Sequence, residues 1–218
     1  MWISPHHWTL GRRTPELVVM RDRPPTDPAW RSLTSPADVA DALVGLYERR
    51  GSRHYDETVT QTEHALQCAA RAIVDGADDE TVAAAFLHDI GHLLMPEEGD
   101  DDSGDGVDRH HEQVGGRFLA NWFGDGVVAS VRLHVAAKRY LCAVDRRYHD
   151  GLSPASVQSL IVQGGPMSEP EVADFGSAAH REAAVDLRRW DDLAKVPGAL
   201  TPTLHELRER LVAVLARP

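Results

Sequence analysis

In the run Ala84-Ala85-Phe86-Leu87-His88-Asp89-Ile90-Gly91-His92 an imidazole and a carboxylate stand side by side in an otherwise apolar stretch. Burying an unpaired ionised carboxylate is costly, and a bound cation removes that cost. Neighbouring side chains on a helix diverge by about 100°, so His88 and Asp89 could hold one ion jointly, or Asp89 could bridge two ions while His88 binds one. An isolated His-Asp pair is more often a core hydrogen bond. This pair has company: His64 in Gln61-Thr62-Glu63-His64, His111 in His110-His111-Glu112, His134 in Leu133-His134-Val135, and Asp191 in Arg189-Trp190-Asp191-Asp192. Four His and two Asp are too few for two six-coordinate ions unless Asp89 bridges and water or substrate completes the shells, which is the composition of a reactive centre. Imidazole and oxygen ligands without thiolates favour iron first and manganese second over structural zinc. Lys138 follows His134 by one helical turn on the same face, where an ammonium can anchor phosphate or carboxylate. A cationic metal centre can draw in an anion even though the whole chain carries a formal charge of -11.

The elements that must position these residues read as helices. A segment over 36–50 has Ser35-Pro36 at its start, apolar residues at helical spacing and Gly51 at its end. Further helical patterns cover 57–75, about 79–94, 110–122, 126–144, 153–163, 177–194 and 203–216, with few alternating β-branched runs. The fold class expected is all-α: a single helical domain over 36–218, preceded by a flexible, Pro-rich N-terminal extension over 1–35. The acidic, glycine-rich stretch 96–108 reads as a solvated loop placed where a lid would sit. With 42% apolar and 26% charged residues the composition is that of an ordinary globular domain. The acidic balance, without a Lys/Arg stripe, argues against a nucleic-acid partner. Cys68 and Cys142 have no CxxC spacing, which fits a reducing, cytoplasmic setting. No apolar run reaches the roughly 20 residues of a membrane span, and no signal peptide is read at the start.

His64, His88-Asp89, His134 and Asp191 together resemble the HD-domain superfamily, best known for metal-dependent phosphohydrolases. Longer strings are more specific. Gln61-Thr62-Glu63-His64-Ala65-Leu66-Gln67-Cys68-Ala69, His134-Val135-Ala136-Ala137-Lys138-Arg139-Tyr140-Leu141, Leu152-Ser153-Pro154-Ala155-Ser156, Gln163-Gly164-Gly165-Pro166-Met167 and Lys195-Val196-Pro197-Gly198 closely resemble the PhnZ-like mixed-valent diiron oxygenases of that superfamily, over roughly 36–205. The resemblance implies two Fe ions, Fe(II)/Fe(III), with O2 as co-substrate. The implied reaction is oxidative cleavage of the carbon–phosphorus bond of a 2-amino-1-hydroxyethylphosphonate-type compound, giving glycine, or an N-methylated glycine, and phosphate.

Carried over by position, the resemblance implies that His64, His88, Asp89 and Asp191 hold one iron and that Asp89 bridges to a second held by His111 and His134. It implies catalytic roles for Asp89, His92 and Lys138, and substrate contacts from Glu57, His92, Lys138, Ser156, Gln163 and Arg188. At one position the chain departs from the family: His54 stands where a tyrosine caps the second iron at rest, with Tyr55 next to it, so either residue is a candidate resting-state ligand. Asp56 beside Glu57 would suit a more cationic amine such as a trimethylammonium group. The expected partner is a small organophosphonate, with the chain a monomer or weak homo-oligomer. The alternatives are an HD-family phosphohydrolase, which consumes no O2, and a non-catalytic metal-binding regulatory module.

Overall fold

The computed structural model describes residues 28–55, 58–95 and 108–216. Glu57 and Asp56, the stretch 96–107 expected to form the acidic loop, and residues 1–27 of the expected extension lie outside the described residues. Eleven α-helices and no strand occur among the described residues: α1 (Pro36–Arg50), α2 (Gln61–Val74), α3 (Asp79–Leu87), α4 (Ile90–Leu94), α5 (His111–Leu119), α6 (Asp125–Val144), α7 (Arg146–Asp150), α8 (Pro154–Val162), α9 (Glu169–Gly176), α10 (Arg181–Leu193) and α11 (Leu204–Leu215). The chain is all-α, as its hydrophobic periodicity predicts.

Helix α3 lies at the centre, with Val82 through Leu87 all buried. It is packed on by α2, α6, α10 and α11, while α1 packs on α11, and α5 packs on α4 and α6. Tyr47 of α1 stacks on Phe86 and donates its hydroxyl to the Phe86 carbonyl at 2.8 Å. Helix starts follow local chemistry. The Thr60 side chain caps α2 in a reciprocal box with Glu63, so the helix opens at Gln61 rather than near residue 57. Thr203 and Glu206 form the same box on α11.

The sequence predicts one helix through His88 and Asp89; the structure breaks it there. α3 ends at Leu87, Asp89 takes φ -98°, ψ 12°, and α4 restarts at Ile90. This is the sparsely populated bridge region, in which active-site residues are often found. Gly91 then permits close packing, because a Cβ on it would lie 2.0 Å from the carbonyl oxygen of His111. Three short elements were not anticipated: α7, α9, and a 3-10 turn over Pro28–Ser32. α9 carries a Ser168–Glu171 capping box with Pro170 in its first turn, a readable start signal. The 3-10 turn places Trp30, 2% exposed, edge-on to Phe118 and Trp122, and the Trp122 indole donates to the Leu33 carbonyl at 2.9 Å. The described end of the expected extension is therefore docked on α5 and the turn after it.

Candidate metal centre and its cavity

Two groups of donors share Asp89. His64 enters from the first turn of α2, His88 and Asp89 from the α3/α4 break, and Asp191 from near the end of α10. Asp89 Oδ2 lies 3.2 Å from His88 Nε2 and 3.6 Å from His64 Nε2, and Asp191 Oδ1 lies 3.3 Å from His64 Nε2. The other oxygen, Asp89 Oδ1, faces His111 Nε2 at 3.2 Å and His134 Nε2 at 3.5 Å, from the first residue of α5 and the middle of α6. All six side chains are buried.

Ring nitrogens in this centre point at one another. His64 Nε2 is 3.2 Å from His88 Nε2, and His111 Nε2 is 3.1 Å from His134 Nε2. The Nδ1 atoms of His64, His88 and His134 sit 2.9, 2.9 and 2.7 Å from the carbonyls of Ala194, Ala85 and Val131. A carbonyl accepts only a proton-bearing nitrogen, so these contacts assign an N–H to Nδ1 and, in each ring when neutral, leave a lone pair on Nε2. The His64–His88 contact then sets two lone pairs against each other beside a carboxylate. A cation between them converts repulsion into ligation, and the carbonyls supply the outer hydrogen bonds that fix such imidazoles. The residues fit a metal pair. Cys68 Sγ also lies 3.7 Å from His64 Nε2; Asp191 is nearer and charged, whereas burial, with Asp191 and Asp89, holds the thiol well above its ordinary pKa.

Charge in the centre is strongly polarised. Burial opposes ionisation of Asp89, yet His88 and His111 hold its pKa well below the usual carboxylate range. Asp191 is held down likewise by Arg188 and His64. His88 is raised, with Asp89 overcoming burial, while burial drives His134 well down. Arg188 donates from Nη1 to Asp191 at 2.5 Å and pairs through Nη2 with Asp192; its Nε reaches Asp192 and the Tyr148 hydroxyl, each at 3.1 Å.

A cavity of about 210 Å³ opens beside both groups. Asp89, His111, His134 and Asp191 line it from the metal side, and His92, stacked 4.1 Å from the His111 ring, adds a further imidazole. Lys138, Ser156, Gln163 and Arg188 line the other walls, bringing these sequence-predicted substrate contacts to one space. Lys138 is buried with its Nζ donating to Ser159 Oγ at 2.7 Å, and burial together with Arg188 pulls its pKa down to about 7. Gln163 Oε1 is buried without a hydrogen-bond partner among the described residues. His54 and Tyr55 also line the cavity. Tyr55 lies on the first group rather than the second: it stacks on His64 at 3.6 Å and donates to Asp191 Oδ1 at 3.1 Å. His64 and His88 lie behind the lining. Sequence reasoning gave no role to Gln61, Ser159 or Lys195, which line the cavity too. Lys195 is in a family-like string, so its position carried a signal and its function did not.

Residues 61–158 match the HD domain family model. The chain is 44% identical over 181 residues to a hydroxymethylphosphonate dioxygenase of Gimesia maris, covering 83% of this chain and 90% of the relative. It is 40% identical over 166 residues to a [1-hydroxy-2-(trimethylamino)ethyl]phosphonate dioxygenase (glycine-betaine-forming) of Leisingera caerulea, covering 76% and 84%. An uncharacterized protein of Acanthamoeba polyphaga mimivirus is 32% identical over 178 residues, 81% of each chain. Residues 61–158 contain His64, His88, Asp89, His111, His134 and Lys138, and the chain belongs to the PhnZ-like oxygenases of the HD-domain family.

Proposed function

We propose that this enzyme uses a mixed-valent pair of iron ions and O2 to cleave the carbon–phosphorus bond of a small 1-hydroxyphosphonate. The balanced reaction is R–CH(OH)–PO3²⁻ + O2 → R–COO⁻ + HPO4²⁻ + H⁺, in which the electron pairs of the C–H and C–P bonds reduce O2 and both its atoms enter the products. The observation that carries this reading is Asp89, whose two oxygens face two separate imidazole groups. It supports His64, His88, Asp89 and Asp191 as ligands of one ion and Asp89, His111 and His134 as ligands of the other. When bound, the pair supplies O2 reduction and a Lewis-acidic seat for substrate oxygens. Lys138 holds the phosphonate, with Ser156, Gln163 and Arg188 around it, and His92 contacts the substrate from the side of His111. Glu57 meets the amino group of a 2-amino-1-hydroxyethylphosphonate-type substrate, and His54 or Tyr55 caps iron at rest. Both donor groups come from one chain, which supports a monomer or weak homo-oligomer, and two free thiols suit the cytoplasm.

Iron-loaded protein in an oxygen electrode, with phosphate assayed in parallel, tests the reaction. Hydroxymethylphosphonate, 2-amino-1-hydroxyethylphosphonate and its trimethylammonium analogue are compared. One O2 consumed per phosphate released is the expected result with at least one of them. Phosphate release from esters with no O2 uptake would establish the hydrolase instead.

A further inference from the structure

We propose that Lys195 is a second cationic anchor for the phosphonate, acting with Lys138 across the hydroxyls of Ser156 and Ser159. The assignment rests on the oxygenase reading above and adds a residue to its substrate site. Among the described residues, the lysines and arginines lining the cavity are Lys138, Arg188 and Lys195. Arg188 is flanked by Asp191 and Asp192, so its charge is already balanced twice over. The two lysines differ. Among the described residues neither has a carboxylate partner; Lys138 donates to Ser159 Oγ at 2.7 Å, and Lys195 donates to Ser156 Oγ at 3.2 Å. Those serines are three residues apart on α8, the spacing that puts two side chains on one helix face.

The backbone around Lys195 is fixed from both sides by α2. His64 Nδ1 holds the Ala194 carbonyl at 2.9 Å, and the Gln67 amide exchanges two hydrogen bonds with Val196, each 3.0 Å. The Lys195 ammonium also lies 5.5 Å from the centre of the Tyr55 ring, a cation–π contact that restrains it over the cavity. Two lysines with no carboxylate partner among the described residues, held on adjacent hydroxyls in one cavity of an acidic protein, form a site for a dianion.

The test is calorimetric titration of the iron-loaded enzyme without O2, with hydroxymethylphosphonate and inorganic phosphate as probes and iron content measured for each variant. Lys195→Met is expected to weaken both probes by about tenfold, equivalent to about 1.4 kcal/mol, with two irons retained. Lys195→Arg keeps the charge and is expected to restore binding to within threefold of the parent, which a merely structural role would not predict. A Lys195→Met protein that keeps its iron and binds both probes within threefold of the parent would overturn the assignment. If no hydroxyphosphonate drives O2 uptake yet phosphate binding still falls in Lys195→Met, the oxygenase reading fails and the anion site stands.

Discussion

Asp89 is the residue on which the centre depends, because each of its oxygens serves a different imidazole group, whereas Asp191 serves only one. Replacing Asp89 by Ala should therefore remove both irons, and replacing Asp191 by Ala only one. Metal analysis of the two purified variants checks this, and two irons retained in Asp191→Ala would show the ligand set to be wrong. Lys138 carries a prediction of the opposite sign. Its pKa falls to about 7 through burial and the neighbouring Arg188. Below pH 7 the buried charge is present in the folded chain and its full cost is felt; above pH 7 the folded state sheds the proton while the unfolded chain keeps it until about 10.4. Stability linked to this group thus rises with pH through that window. In metal-free protein Lys138→Met should be more stable at pH 6.5 by a few kcal/mol, of the order expected for uncharging a buried site. The gain should narrow as pH rises toward 10, as read by urea unfolding at each pH. A gain that does not change with pH would contradict a buried ammonium, and the same variant should bind phosphonate poorly.

At the level of elements, the break between α3 and α4 and the close approach of α4 to α5 bring the two donor groups together. Gly91 is the point of contact, since any side chain there meets the His111 backbone. Gly91→Ala should cost about 1–3 kcal/mol by overpacking and should displace His111, so that iron at the second position is lost before iron at the first. Denaturant midpoints and iron content per chain measure the two effects separately. An alanine variant with parental stability and two irons would mean that α5 can shift without moving its first residue. The capping boxes on α2, α9 and α11 were all readable, because a Ser or Thr followed three residues later by Glu acts locally. The break at His88-Asp89 was not, because Ala84 through Leu87 and Ile90 through Leu94 each look like uninterrupted helix and only packing decides where the chain turns.

For the molecule as a whole, a metal pair held at this centre would contribute to the stability of the fold. Lone pairs that face each other in the buried centre repel until a cation lies between them, and ligands that bind only the folded state stabilise it by mass action, about 2.7 kcal/mol at a hundredfold excess over Kd. Chelation should lower Tm by roughly 5–10 °C for a chain of this size, and re-addition of Fe(II) should restore it. A Tm indifferent to chelation would mean that the centre is preformed without strain. No helix among the described residues is long and apolar enough to cross a membrane, in keeping with the sequence.

The sequence alone determined the all-α class, most helix starts, the metal chemistry at His88-Asp89 and the pairing of a ligand with a cation on one face of α6, because periodicity, capping and one-turn spacing are local properties. Tertiary structure alone decided which oxygen of Asp89 faces which imidazoles and that Lys195 reaches the cavity. These depend on contacts such as Tyr55 with Asp191 and Gln67 with Val196, more than a hundred residues apart. No spacing rule connects such residues; only the packing of α2 against α10 and the segment after it brings them within reach.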